Sequence, residues 1–190
     1  EVVSPTVVVQ AWPVVAPPSG HIERGIHVAT SLIRRDPENP LVALKTTSRA
    51  DYVHARLEAR RSGADDALFL TLDGFLSEAT TSNIFLIRRG AGTSAGGTDE
   101  LATPALACAI LPGTTRSWIL AWGSRVGLTP QEGWLTSRDL AEATEAFVCS
   151  SVAGIIPVTT FDGQPIGDGL PGPWTRRARE DREAFIRGDS

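Results

Sequence analysis

The apolar residues of this chain come in short runs, each closed by a turn signal, and this pattern constrains the fold more than any other feature. Residues 27–34 run into Asp36-Pro37-Glu38-Asn39-Pro40, residues 67–71 into Asp73-Gly74, and residues 147–149 into Ser150-Ser151. Short β-branched and aromatic runs bounded in this way read as strands. Between them lie segments of helical character. Residues 51–62 carry Val53, Ala55, Leu57 and Ala59 among charges, as on an amphipathic helix, and stop at Gly63. Leu111-Pro112-Gly113-Thr114-Thr115-Arg116 opens a helix expected to reach about residue 125. Residues 137–142 start another under a Ser or Thr cap, and residues 173–186 form a charged C-terminal helix. Irregular alternation of strands and helices points to an α+β domain with a mixed or closed sheet.

Finer expectations follow from the same signals. Val7-Val8-Val9 and Val14-Val15, broken up by Pro5, Pro13, Pro17 and Pro18, read as the end of a strand passing into an extended linker. Residues 41–44 read as a short strand that delivers Lys45 at its end. Residues 67–71 and 82–87 read as the two strands of a hairpin around Asp73-Gly74. The Gly/Ser/Thr-rich residues 89–99 read as a flexible connection rather than a phosphate cradle, and Thr160-Phe161-Asp162-Gly163 as a turn.

Composition narrows the function classes. At 190 residues and 42% hydrophobic, the chain can bury one sizeable core with at most a short appendage. A net charge of -4 offers no footprint for nucleic acid, and no stretch approaches the roughly 18 apolar residues that would span a bilayer. The opening lacks a basic segment followed by an apolar one, so no signal peptide and a cytoplasmic location are expected. Cys108 and Cys149 stand far apart in apolar contexts and read as buried, reduced thiols. His21, His27 and His54 make no ligand pair at metal spacing, so no metal is expected. Of the 18 basic residues, Lys45 alone is lysine. It is the one cationic side chain that can lose its proton and act as an amine.

Several ordered motifs then stand together: Leu44-Lys45-Thr46-Thr47-Ser48-Arg49, Leu57-Glu58-Ala59-Arg60, Gly63-Ala64-Asp65-Asp66-Ala67, and Leu76-Ser77-Glu78 continuing through Asn83-Ile84-Phe85. Beyond them come Thr103-Pro104, Leu111-Pro112-Gly113-Thr114-Thr115-Arg116, residues 150–158, and Gly172-Pro173. From Lys45 onward the chain resembles the class IV (fold-type IV) pyridoxal-phosphate enzymes, a group of branched-chain and D-amino-acid aminotransferases with aminodeoxychorismate lyase. The resemblance implies the large cofactor-binding domain of the D-amino-acid aminotransferase-like fold, a mixed sheet or barrel flanked by helices. On that basis residues 25–190 form the pyridoxal-phosphate domain. Residues 1–24 are the end of a small domain and its linker, and most of that small domain is absent from the chain.

The same resemblance assigns roles. A Schiff base needs an accessible lysine amine, and Lys45 would form the aldimine with pyridoxal 5'-phosphate. Glu78 would be the carboxylate that keeps the pyridine nitrogen protonated. Thr114 and Thr115 at a helix N-terminus, with the Ser151 hydroxyl, would hold the phosphate, although simple helix capping also accounts for the threonines. Val152 and Ala153 would present backbone amides to the substrate carboxylate. Transamination between a branched-chain-like amino acid and a 2-oxo acid is the first expectation, in a homodimer with no nucleic-acid or membrane partner. Release of pyruvate from aminodeoxychorismate is the second, and a truncated, non-catalytic core the third. Where branched-chain enzymes carry Gly-Gly-Asn-Tyr after the lysine, this chain has Thr46-Thr47-Ser48-Arg49, and an arginine there is more similar to the lyase branch.

Overall fold

The computed structural model describes residues 4–90 and 98–189. Residues 4–18 have no regular secondary structure, and Val7, Val8, Val9, Val14 and Val15 are all largely exposed, so the expected strand end does not form there. A single helical turn, α1 (Ser19–Glu23), leads into β1 (Ile26–Arg35). After it come α2 (Ala50–Arg61), β2 (Asp66–Thr71), β3 (Leu76–Ala79), β4 (Asn83–Arg88) and β5 (Glu100–Pro104). The second half holds α3 (Thr114–Arg125), β6 (Thr129–Gly133), α4 (Ser137–Ala141), β7 (Glu145–Ser150), β8 (Gly154–Phe161), β9 (Gln164–Pro165) and α5 (Pro173–Arg187).

The nine strands of the described residues join one mixed sheet in the order β3-β2-β1-β8-β7-β4-β5-β6, with β9 beside β8. β1 runs parallel to both β2 and β8, while β7 is antiparallel to β4 and β8. The order carries a geometric constraint. β3 and β4 stand five strand spacings apart, roughly 24 Å in a flat sheet. Yet only Thr80, Thr81 and Ser82 join them, a link that reaches about 14 Å at most. The sheet must therefore curl into an open barrel, and the curl is what brings β3 against β4.

Strand alternation then sorts the core onto two faces. Ile84 and Leu86 of β4 pack with Leu68, Leu76, Val148 and Val158 in one cluster. Phe85 and Ile87 pack with Phe147 and Cys149 against Ile119 and Trp122 of α3 and Ala178 of α5 in another. Phe85 and Phe147 are direct cross-strand partners, with ring centroids 5.3 Å apart. Side chains buried this fully contribute about 1.5–3 kcal/mol each. Ala55 and Ala59 of α2 close a third cluster over Ala67 and Phe69.

Several expectations need correction. Residues 41–44 form a turn, not a strand: the Val42 amide donates to the Asn39 carbonyl and the Leu44 amide to that of Leu41. Pro40 withholds a ladder donor just before it, and Leu41 and Leu44 stay exposed. The hairpin at Asp73-Gly74 joins β2 to β3, and β4 pairs with β5 and β7 instead of β2. On α2 the four apolar residues do not share a face, because positions two apart lie on opposite sides of a helix; Ala55 and Ala59 point inward while Val53 and Leu57 are exposed. Thr160 and Phe161 end β8, and the turn itself is Asp162-Gly163. Residues 91–97 of the expected flexible connection lie outside the described residues. The remaining helices form where expected, with α4 closed by a capping box of Thr136 and Asp139.

Candidate active site

A cavity of about 930 Å³ opens between α2, the β3–β4 link, the N-terminus of α3 and the turn after β7. Lys45, Glu78, Thr114, Thr115, Ser151, Val152 and Ala153 all line it. The curled sheet thus gathers every candidate residue into one space.

Glu78 is the centre of its polar side. β3 is buried along its whole length, so the carboxylate is removed from water and needs partners. The Leu111 amide donates to Oε2 at 3.0 Å, and the Tyr52 hydroxyl donates to Oε1 at 3.1 Å. Asn83 Nδ2 approaches Oε2 at 3.5 Å, and Arg35 Nη2 stands 3.9 Å from Oε1. Burial pushes the Glu78 carboxyl above its ordinary pKa, while the Leu111 amide, Arg35, Tyr52 and Arg49 pull it back toward the charged form.

The same residues fix the mouth of α3. Asn83 Nδ2 donates to the Leu111 carbonyl at 3.0 Å, and Ser77 Oγ to the Ala109 carbonyl at 3.1 Å. A Cβ on Gly113 would fall 2.2 Å from Asn83 Oδ1, so only glycine lets the segment dock here. The helix starts directly afterwards with Gly113 as its N-cap and no side-chain cap. Thr114 and Thr115 are therefore not capping residues. Thr115 is 3% exposed and its Oγ1 is buried without a hydrogen-bond partner. An uncapped helix N-terminus with an idle buried hydroxyl is a donor set for an anion such as a phosphate. Arg116 holds the helix from behind, donating to the Pro104 carbonyl and pairing with Glu132.

The turn after β7 completes the wall. Ser151 and Val152 are exposed, and the Ala153 amide donates to Ser150 Oγ at 3.1 Å. A ligand carboxylate could take the Ala153 amide only by displacing that hydroxyl, which leaves Val152 as the amide open to it. Lys45 sits on an exposed stretch without regular secondary structure between the turn and α2, with no hydrogen bond or ion pair among the described residues. Four residues that sequence reasoning did not assign belong to the site's framework: Tyr52, Arg35, Asn83 and Ser150. Asn83 was visible as part of the Ser77-Glu78 motif; Arg35 and Tyr52 carry no local signal. Among the described residues no group of three or more His, Cys, Asp or Glu side chains could hold a metal ion, and no helix is long and apolar enough to cross a membrane.

Comparison with known proteins places this geometry. The family profile for amino-transferase class IV matches residues 2–161. A candidate branched-chain-amino-acid aminotransferase of Methanocaldococcus jannaschii is 33% identical over 159 residues, covering 83% of this chain and 52% of its own length. Among solved structures, the T.th. branched-chain amino acid aminotransferase with pyridoxamine 5'-phosphate superposes with a TM-score of 0.80 at 27% identity. It covers 91% of this chain and 54% of that one. A candidate 4-amino-4-deoxychorismate lyase of Legionella pneumophila superposes at 0.75 with 25% identity, covering 94% and 59%. The chain spans about half the length of the relatives it matches. With the matched profile running through β1, Lys45, Glu78 and the α3 N-terminus to the end of β8, the chain belongs to the class IV aminotransferase family.

Proposed function

We propose that this chain carries the pyridoxal-phosphate site of an enzyme that moves an amino group between a branched-chain-like amino acid and a 2-oxo acid. The observation that carries the reading is the orphaned Thr115 hydroxyl at an uncapped helix N-terminus, in the same cavity as Glu78 and the chain's single lysine. The residues present fit the cofactor: a donor set for its phosphate, an acceptor for its ring nitrogen and an amine for its aldehyde. Bound there, pyridoxal phosphate would supply an electron sink for the substrate's α-carbon.

The chain's own residues do the rest. Thr114, Thr115 and Ser151 bind the phosphate with hydroxyls and free backbone amides, and the α3 dipole favours its charge. Glu78 accepts from the ring nitrogen and holds the ring in register with Lys45. Lys45 would hold the cofactor through Nζ and, as a free amine, would take the proton from the substrate α-carbon as general base and deliver it to the cofactor's carbonyl-derived carbon as general acid. Val152 offers its amide to the substrate carboxylate. The name of the M. jannaschii relative favours a branched-chain substrate. Arg49, which lines the cavity just after Lys45, and the Legionella neighbour favour the lyase as the second reading. We read residues 1–24 as the tail of a separate small domain and linker, and residues 25–190 as the cofactor domain of a homodimer. Sedimentation of the purified chain tests the dimer.

The test is a visible absorption titration with pyridoxal phosphate, then borohydride reduction and peptide mapping. A reducible band with the label on Lys45 is expected. Absence of label at Lys45 would sink the cofactor reading. Release of pyruvate from aminodeoxychorismate without an amino acceptor, and no turnover that depends on a 2-oxo acid, would replace transamination with the lyase.

A further inference from the structure

Around Glu78 stands a group of side chains to which the proposed reaction gives no role. Arg35 closes β1, Tyr52 sits in the first turn of α2, Phe69 is on β2 and Asp51 precedes Tyr52. Arg35 is 7% exposed, and a guanidinium in such a place must be held by something. Its Nη1 pairs with Asp51 Oδ2 at 3.0 Å. Its Cζ lies 4.8 Å from the Tyr52 ring centroid and 5.6 Å from that of Phe69, and the two rings meet edge to face at 5.3 Å. Its remaining terminal nitrogen, Nη2, is turned toward Glu78 Oε1, 3.9 Å away. The Tyr52 hydroxyl reaches the same Oε1 at 3.1 Å. Side chains from β1 and α2 thus converge on one carboxylate oxygen of β3.

We propose that Tyr52 and Arg35 are positioning residues that hold Glu78 as the ionised partner of the cofactor's ring nitrogen, acting through Glu78 and not on the substrate. The inference rests on the cofactor reading above and adds to it the device that keeps Glu78 charged. The need for a device follows from burial. A carboxylate inside the barrel takes up a proton unless donors and cations oppose it. A protonated Glu78 would offer the ring nitrogen a proton donor where an acceptor is required. The Leu111 amide meets Oε2; Tyr52 and Arg35 meet Oε1. The charged and titratable groups facing Glu78 are Arg35 from β1, Tyr52 from α2 and Arg49 just before α2. Arg49 stacks its guanidinium 3.9 Å from the Tyr52 ring centroid and donates to the Thr80 carbonyl, so it steadies the phenol from the cavity side. Tyr52 stays a donor throughout the working range, because burial and the neighbouring Glu78 push its phenol up to about 12. Donors make Glu78 a weaker base, so a shared proton stays on the ring nitrogen.

The test begins without cofactor. Carboxyl-carbon NMR of the chain labelled at glutamate follows the titration of Glu78, identified by its disappearance in Glu78→Gln. Tyr52→Phe keeps the ring and its packing and removes only the hydroxyl; Arg35→Met keeps an apolar stem and removes the cation. Each variant should raise the Glu78 midpoint, Tyr52→Phe by about one unit, a roughly tenfold change in proton affinity. Arg35→Lys should restore part of the shift, which loss of packing alone would not do. If Arg35→Met fails to fold, Tyr52→Phe still decides the matter. A Glu78 midpoint unmoved in Tyr52→Phe overturns the proposal. The second arm adds pyridoxal phosphate labelled with nitrogen-15 in the ring. The ring nitrogen should lose its proton at lower pH in Tyr52→Phe than in wild type. No shift there also overturns the proposal. A wild-type chain that takes up no cofactor instead overturns the functional reading, while the glutamate titration still decides whether Tyr52 and Arg35 set the charge of Glu78.

Discussion

At the scale of single residues, the site's character comes from polar groups left unpaired or paired at a distance. Thr115 Oγ1 forgoes a hydrogen bond inside the fold, which costs about 1–3 kcal/mol for a buried hydroxyl. Thr115→Val removes the hydroxyl with almost no change in shape. It should leave the cofactor-free chain at least as stable to heat and weaken pyridoxal phosphate about tenfold, the loss of one bond to a charged group. Lower stability with unchanged affinity would show that the hydroxyl serves the fold. Glu78 gives a pH signature. Its folded pKa is raised by burial, so its contribution to stability is intact below the unfolded carboxyl pKa and is lost as pH rises through the folded value. In Glu78→Gln that loss disappears. The melting temperature of the variant should gain on wild type as pH rises from the unfolded carboxyl pKa to the folded value and level off above it, while cofactor binding falls. A difference that stays constant across that range would mean Glu78 is not the group responsible. Glu78 was legible as a candidate because a motif surrounds it; the reason it can stay charged was not, since Arg35 and Tyr52 are remote in sequence.

Elements show how the sequence closes its own ends. The N-terminus of α5 is held by a residue from another strand: Glu145 of β7 accepts from the Trp174 amide at 3.0 Å, the Thr175 amide at 2.9 Å and the Thr175 hydroxyl at 2.7 Å. Gly172 is the price of this contact, because a Cβ there would fall 2.0 Å from the Glu145 carboxyl carbon. Glu145→Ala leaves three donors unanswered and should lower stability by roughly 2 kcal/mol or more. Gly172→Ala should destabilise through the clash, by pushing the same carboxylate aside. Denaturant midpoints for the two variants and their double mutant check this: strongly non-additive losses are expected, since both act on one contact. The Gly172-Pro173 pair reads from sequence as a helix start. That a glutamate from β7 caps it does not, because the partner is remote in the chain.

For the whole molecule, the curl of the sheet is the decisive fact. It turns β3 and β4 into neighbours, seals Phe85 and Phe147 between sheet and helices, and leaves both cysteines free and buried. Burial pushes the Cys149 thiol up to about 12 and raises that of Cys108 as well, so neither is a ready nucleophile. A thiol reagent should therefore react with Cys149 only as fast as the core opens, and labelling under native conditions should track the global unfolding equilibrium measured in denaturant. Rapid native labelling of Cys149 would show that β7 opens on its own. Strands β5 and β6 were not legible: β6 is a largely exposed edge carrying Pro130, without the apolar alternation that marks a half-buried strand.

By itself the sequence determined the element types with strong periodicity and the helices that open near Pro112 and at Pro173, from turn and cap signals. Lys45 stood out as the lone amine, while Glu78 and Thr115 entered as candidates through the resemblance of the motifs around them. The tertiary structure alone decided that residues 41–44 turn and leave Lys45 on an exposed stretch, that β3 stands between the strands expected to pair, and that Arg35, Tyr52 and Asn83 gather around one carboxylate. Local propensity is blind to those outcomes because they depend on which strands become neighbours. That was set by a three-residue link between β3 and β4, too short for a flat sheet.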